Sequence, residues 1–209
     1  MPSTAELWPL IHDQRAKVAE MLSSLSDAEW NASSLCKGWR VRDVAAHCVE
    51  TNLMTPARFM GKMLSTGFRF HAMSDRGIAT HAQQSPAELL AQYRQTMLRT
   101  TTPPGPKVAM LAEAVIHGED MARPTARRID ASPAVLIAAA NFTRGAQPLL
   151  HGKTRSAGLA FRATDVEWST GEGPEVSGPL TSIIIAIAGR KAGLEQLTGD
   201  GVPTLSSRL

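Results

Sequence analysis

From Val108 to Ile116 the chain reads VAMLAEAVI, apolar at every position except Glu113, and His117 stands four residues beyond that glutamate. Residues four apart on a helix share a face, so the carboxylate and the imidazole point the same way. A carboxylate set among Ala109, Leu111, Ala112, Val115 and Ile116 is open to burial. Left unpaired there, it costs several kcal/mol or neutralises itself, so it calls for a cation or a donor. His47 repeats the theme within VAAHCV. Two imidazole nitrogens and one carboxylate oxygen make the usual catalytic zinc set, with a fourth position left for water or substrate. Asp43, four residues before His47, and Asp120, three after His117, fall on about the same faces and could orient the rings as acceptors. The plainer alternative is that each histidine is a hydrogen-bonded core residue and the Glu-His spacing is chance. Spacing alone leaves that open, because it does not show that the helices converge.

The elements that must position these residues are legible to some extent. Leu7, Leu10, Ile11, Val18, Met21, Leu22 and Leu25 recur at three- and four-residue steps and predict a helix from Thr4 to about Leu25. A second helix is expected to begin near Val41, to carry His47, and to be kinked or broken by Pro56. Residues 66–84 read as a connector. Ser85, Pro86 and Glu88 supply an N-cap, an N1 proline and a capping-box carboxylate for a helix ending near Arg99. A fourth helix, about Lys107 to Met121, carries Glu113 and His117 and stops before Pro124. A fifth runs from Ser132-Pro133 through Leu150. Beyond His151, GLAFRATDVEWST and EVSGPL around the turn-forming GEGP read as two or three short strands. An apolar helix from Leu180 to Ala188, a short helix through Leu197 and a terminal VPTLS strand follow. The predicted class is α plus small α/β: an antiparallel helical bundle over residues 1–150 and a small α/β domain over 151–209.

Composition narrows the function. At 209 residues with 43% apolar content the chain can bury a core without disulfides. Its two cysteines, Cys36 and Cys48, form no CxxC pair and fit a reduced, cytoplasmic protein. No signal-like or membrane-length apolar stretch is found, so no membrane partner is expected. The net charge of +3 is dispersed, and its one cluster, Arg123, Arg127 and Arg128, lacks interleaved aromatics, which argues against nucleic acid. Cys48, rotated about 100° from His47 on the helix, reads as a packed core thiol. Cys36 reads as structural. Trp30, Trp39 and Trp168 read as core or domain-junction residues, and His12, His71, His81 and His151 as surface residues.

GWRVRDVAAH at residues 38–47, followed by EAVIHGED at 113–120, resembles the paired signature of the DinB-like four-helix bundles, and more closely that of the mycothiol-dependent maleylpyruvate isomerase family. That resemblance implies zinc, or another divalent metal, on His47, Glu113 and His117. AGRKAGLEQLTGDGVPTL at 188–205 resembles the small sterol-carrier-like domain that ends those proteins. There the arginine of the GR motif is implicated in binding or catalysis, a role Arg190 would inherit; read by itself, Arg190 is equally an ordinary solvated charge. The implied function is a cytoplasmic zinc enzyme using a low-molecular-weight thiol, mycothiol, as monomer or homodimer. Its reaction would be isomerisation or thiol transfer on a small electrophilic acid. The segment between the two motifs departs from the isomerases, so no substrate-contacting residues carry over. Two other classes stay open: a hydrolase or amidase-like enzyme using water at the same metal position, and a non-catalytic binding module with a structural metal.

Overall fold

In the computed structural model, residues 4–81, 84–147 and 150–209 are described. The chain divides into two compact units, Thr4–Asp130 and, apart from the first three residues, Ala131–Leu209.

The first unit is helical. Helix α1 spans Thr4–Ser23 and buries Leu7, Ile11, Val18 and Leu22, the stripe expected from the three-and-four spacing. The short helix α2, Asp27–Trp30, is closed by a Ser26/Glu29 capping box and buries Trp30. Helix α3, Val41–Asn52, carries His47. Pro56 does not kink α3; it opens a separate helix, α4 (Pro56–Ser65), as its first residue, with Thr55 capping the Arg58 amide. Pro fits there because the first helical N–H needs no partner within the helix. Where a connector was expected, a helix α5 forms over Phe70–Thr80. Helix α6, Pro86–Thr96, begins with the expected Ser85/Glu88 box, and α7, Val108–Ala122, carries Glu113 and His117.

Helices α1, α3, α6 and α7 close into a four-membered ring of contacts: α1 packs on α6 and α7, and α3 packs on the same two. The shared core includes Val18, Leu22, Val44, Val49, Leu89, Tyr93 and Met121. Gly118 lets α1 approach α7, since a Cβ there would lie 3.2 Å from Val18 Cγ2 and 3.1 Å from Ile129 Cδ1. Helix α5 packs on α3, whereas α4 buries no residue at all. No described helix is long and apolar enough to cross a membrane.

The second unit begins with α8, Pro133–Gly145, capped by Ser132. Sequence patterning puts α8 with the bundle and a boundary near residue 151; by packing, α8 contacts α10 (Leu180–Ile187) and α9 (Gly152–Ser156), so the compact units meet between Asp130 and Ala131. Three strands, β1 (Ala160–Ala163), β2 (Ser169–Thr170) and β3 (Glu175–Gly178), form a sheet of order β2-β1-β3. The β1–β2 pair is antiparallel and the β1–β3 pair parallel. Helix α10, LTSIIIAI, is buried from Ser182 through Ile187, as its unbroken apolar run requires. It packs on α8, on β1 and β3, and on a 3-10 stretch, Lys191–Gln196. The terminal VPTLS segment, expected as a strand, is instead the short helix α11, Val202–Ser206. Gly201 precedes it and Pro203 takes an early helical position, where proline is tolerated.

Gly193 sits where the 3-10 stretch meets α10: a Cβ there would lie 2.6 Å from the Ser182 carbonyl oxygen and 2.7 Å from the Ala186 nitrogen. Both are backbone atoms of a buried helix and cannot step aside cheaply. Gly193→Ala is therefore expected to lower stability by about 1–3 kcal/mol, read as a lower urea midpoint. An unchanged midpoint would show that α10 and the 3-10 stretch are not packed this closely.

Candidate metal centre

Along α7, Glu113 and His117 are the two residues between Met110 and Ala122 that are not fully buried, and along α3 from Val44 to Glu50 the same is true of His47. The helices bury everything around these three side chains and leave them partly open, with side-chain exposures of 18% for His47, 15% for Glu113 and 16% for His117. The helices do converge. One ligand atom from each of the three residues lies within 4.8 Å of the other two; His47 Nε2 is 4.0 Å from Glu113 Oε1, and the two imidazole rings lie 5.0 Å apart, edge to face.

Glu113 Oε1 is sealed from solvent and has no hydrogen-bond partner among the described residues. Native structures rarely leave a buried carboxylate oxygen in that state, because the lost solvation is not returned. Two imidazoles and a carboxylate converging on such an oxygen fit a divalent cation of the zinc type, which these residues could hold.

The surrounding groups fix the rings. His117 Nδ1 lies 2.9 Å from Asp120 Oδ2. An ionised carboxylate only accepts, so Nδ1 carries a proton and donates it; when the ring is neutral, as a metal ligand must be, the lone pair then falls to Nε2. Asp120 thus does for His117 what the sequence suggested. Asp43 does not do the same for His47: its carboxylate accepts the Arg40 amide at 2.8 Å and the Arg40 guanidinium at 3.0 and 3.1 Å, closing the start of α3.

Three residues that spacing did not reveal complete the site. Cys36 Sγ donates to Asp120 Oδ2 at 3.0 Å, and Trp39 lies against the His47 ring with centroids 5.3 Å apart. Both come from the loop before α3, which returns on itself at Gly38, whose φ of +81° suits glycine. The same loop is fastened to α7 by Leu35 N donating to the Asp120 carbonyl at 3.1 Å. Thr51, one turn after His47, comes close to the Glu113 carboxylate while its hydroxyl donates to the His47 carbonyl at 3.0 Å, a position the four-residue rule could have flagged.

Charge follows this geometry. Burial raises the Glu113 pKa above the ordinary carboxylate value, and the nearby His117 and Arg15 charges and the Thr51 hydroxyl only partly offset it. Burial, then the neighbouring His117, pushes His47 down to about 3. Burial also opposes a charged His117, but the hydrogen bonds and charges of Asp120 and Cys36 outweigh it and raise His117 to about 10. Of the two rings, His117 takes the proton.

Other sequence readings fare unevenly. Cys48 is a buried core thiol, its pKa raised well above the usual value by burial. Trp30 is core, and Trp168 is buried, with its indole N–H donating to Asn141 Oδ1 at 3.0 Å. His81, read as a surface residue, is buried, with Nε2 3.3 Å from Glu50 Oε1 and Nδ1 3.0 Å from Gln84 Oε1. Arg190 lies in the second unit, directly beyond α10, where its Nη1 donates to the Ala188 carbonyl at 2.7 Å.

Compared with known families, residues 11–122 match the mycothiol maleylpyruvate isomerase N-terminal domain, which is more than half of the chain. The chain belongs to that family. The match to the mycothiol maleylpyruvate isomerase N-terminal domain takes in His47, Glu113, His117, Cys36 and Asp120, and stops short of Arg190. Two crystal structures, of the mycothiol-dependent maleylpyruvate isomerase and of a histidine-to-alanine mutant of it, share the fold. Each covers 95% of this chain and 93% of its own, at 17% identity, with TM-scores of 0.63 and 0.62. No functionally curated protein sequence matches the chain.

The histidine shifts give the metal-free protein a definite pH response. His117 is raised from 6.5 to about 10, so its contribution to stability is complete below pH 6.5 and is lost as pH rises toward 10. His47 is lowered to about 3, so its contribution is present above 6.5 and is lost as pH falls. Thermal unfolding in the presence of chelator is expected to show a Tm that declines from about pH 6.5 to about pH 9.5. His117→Gln should flatten that alkaline limb. A wild-type Tm that rose across this range would remove the Asp120–His117 pair as its cause.

Proposed function

We propose that the chain is a zinc-dependent enzyme that uses a low-molecular-weight thiol, mycothiol, for isomerisation of, or thiol transfer to, a small electrophilic acid. The observation that carries the metal assignment is the sealed, partnerless Glu113 Oε1 facing the His47 and His117 rings. Family membership supports the thiol and the isomerase-like chemistry. Bound at the three residues, zinc would keep a thiol sulfur deprotonated at neutral pH, the form that adds reversibly across a cis double bond and leaves it trans.

The chain's own residues would divide the remaining work. His47 and His117 would supply neutral ring nitrogens, and Glu113 the one negative charge, so that the centre keeps net positive charge toward an incoming anion. Asp120 would keep the His117 proton on Nδ1, away from the metal side. The apolar walls of α3 and α7 would exclude bulk water and strengthen each electrostatic contact. Arg190 would hold a carboxylate or amide oxygen of the thiol or substrate, a task suited to its planar fork of donors.

Purified protein is expected to carry about one divalent metal per chain. His47→Ala, Glu113→Gln and His117→Ala should each lose it on dialysis while remaining folded by circular dichroism. Near-stoichiometric metal in any of the three would remove that residue from the set.

Thiol binding is expected to release a proton and, in the cobalt-substituted protein, to add a sulfur charge-transfer band. Arg190→Ala should weaken binding of mycothiol about tenfold or more while sparing a simple alkyl thiol, measured by calorimetry. If cobalt spectra stayed unchanged with both thiols, chemistry on metal-bound water would replace the thiol mechanism.

A further inference from the structure

The Asp120 carboxylate has no exposed surface and accepts two donors on one oxygen, His117 Nδ1 at 2.9 Å and Cys36 Sγ at 3.0 Å. We propose that Cys36 is a positioning residue for the metal centre: its thiol holds the Asp120 carboxylate in the orientation that keeps the His117 proton on Nδ1 and the lone pair on Nε2. This rests on the metal assignment made above for what Nε2 does, though not for the hydrogen-bonded chain itself.

A carboxylate accepting from one imidazole can still turn about the bond that joins it to the rest of its side chain, and each turn lets the ring follow. A second donor on the same oxygen removes that freedom. The sulfur lies closer to Asp120 Oδ2 than to His117 Nδ1, 3.0 Å against 3.9 Å, so most of its hold on the ring passes through Asp120.

The loop that brings the thiol is built to hold it. Ser34 Oγ donates to the Trp39 carbonyl at 2.8 Å and accepts from the Cys36 amide at 3.1 Å, and Trp39 N donates back to the Cys36 carbonyl at 3.0 Å. The Leu35 amide and the Cys36 thiol then grip the same residue of α7, one at its main chain and one at its side chain. The His117 ring is thereby held from the loop before α3, the helix that supplies His47. The other cysteine, Cys48, is packed in the core and has no role in this chain of bonds.

The test uses the full chain labelled with 15N-histidine, alongside Cys36→Ala and Cys36→Ser. In the metal-free wild-type protein, NMR should show a slowly exchanging proton on His117 Nδ1. In Cys36→Ala that proton should exchange roughly tenfold faster or more, and cobalt affinity, from chelator competition, should fall about 10- to 100-fold, as for other partners one step removed from a metal. Cys36→Ser should restore both within about threefold, because a hydroxyl donates to the same oxygen. Packing loss alone would not be rescued by serine. Faster exchange with unchanged cobalt affinity would overturn the role of Cys36 at the metal centre while leaving the metal assignment standing, whereas a wild-type protein that binds no cobalt would overturn the metal assignment instead. Unchanged exchange in Cys36→Ala, or a serine variant as impaired as the alanine one, would overturn the proposal, the second by making the sulfur itself a ligand or a packing group. If Cys36→Ala does not fold, the wild-type spectrum and Cys36→Ser decide it: a His117 Nδ1 proton exchanging at the rate of an exposed imidazole is fatal to it.

Discussion

Taking a carboxylate out of water costs several kcal/mol unless a cation or a set of donors replaces the lost solvation, and in Glu113 the cost falls on a single oxygen. One oxygen of this side chain is beyond the reach of solvent and of every described donor, while the two imidazole rings turn toward the same point. The rest of the helical unit can be understood as what keeps that arrangement in place. Helices α3 and α7 must pack closely enough to bring His47 within 4.0 Å of Glu113, and α1 lies close enough to α7 that a Cβ at position 118 would press on Val18. Tight packing of this kind makes the site rigid, because a well-packed interior resists small displacements.

The polar groups outside the three candidate ligands obey the same constraint at one remove. Asp120 is buried more completely than the histidine it serves, so it too needs donors, and it finds them on its own helix and on the loop before α3. The outcome is a ring, His117, whose two nitrogens have different jobs fixed by different neighbours. Its raised pKa and the lowered pKa of His47 record that difference: one ring shares a carboxylate, and the other is desolvated beside a positive neighbour.

How much of this the sequence carried depended on how local the cause was. Glu113 and His117 were readable because four-residue spacing on an apolar helix fixes their common face, and His47 because it breaks an apolar run of its own. The Ser85/Glu88 box was readable because capping is local chemistry. The contribution of Cys36 was not, since a sulfur in a polar loop reaches α7 only through a turn at Gly38 and a contact 84 residues away. His81 was misjudged for the same reason: its polar neighbours in sequence are not its neighbours in space, where Glu50 of α3 waits for it. Helix α5 lacks a clear apolar stripe and so passed for a connector, and VPTLS passed for a strand because its β-branched residues outweigh a proline that in fact sits at a helix start. Helix α8 has the composition of a bundle helix, and only packing reveals that its partner is α10.

Helix α4 stands apart from all of this, since none of its residues is buried. It follows directly on the helix that carries His47 and is tied to it by Lys62, which pairs with the buried Glu50 of α3 at 2.8 Å. Because none of its residues is buried, substitutions along α4 remove little core packing, and their cost is expected to concentrate at Lys62. Most of α4 can thus be altered at a low cost that the residues of α3 and α7 would not permit, with only the short turn before Pro56 between the two.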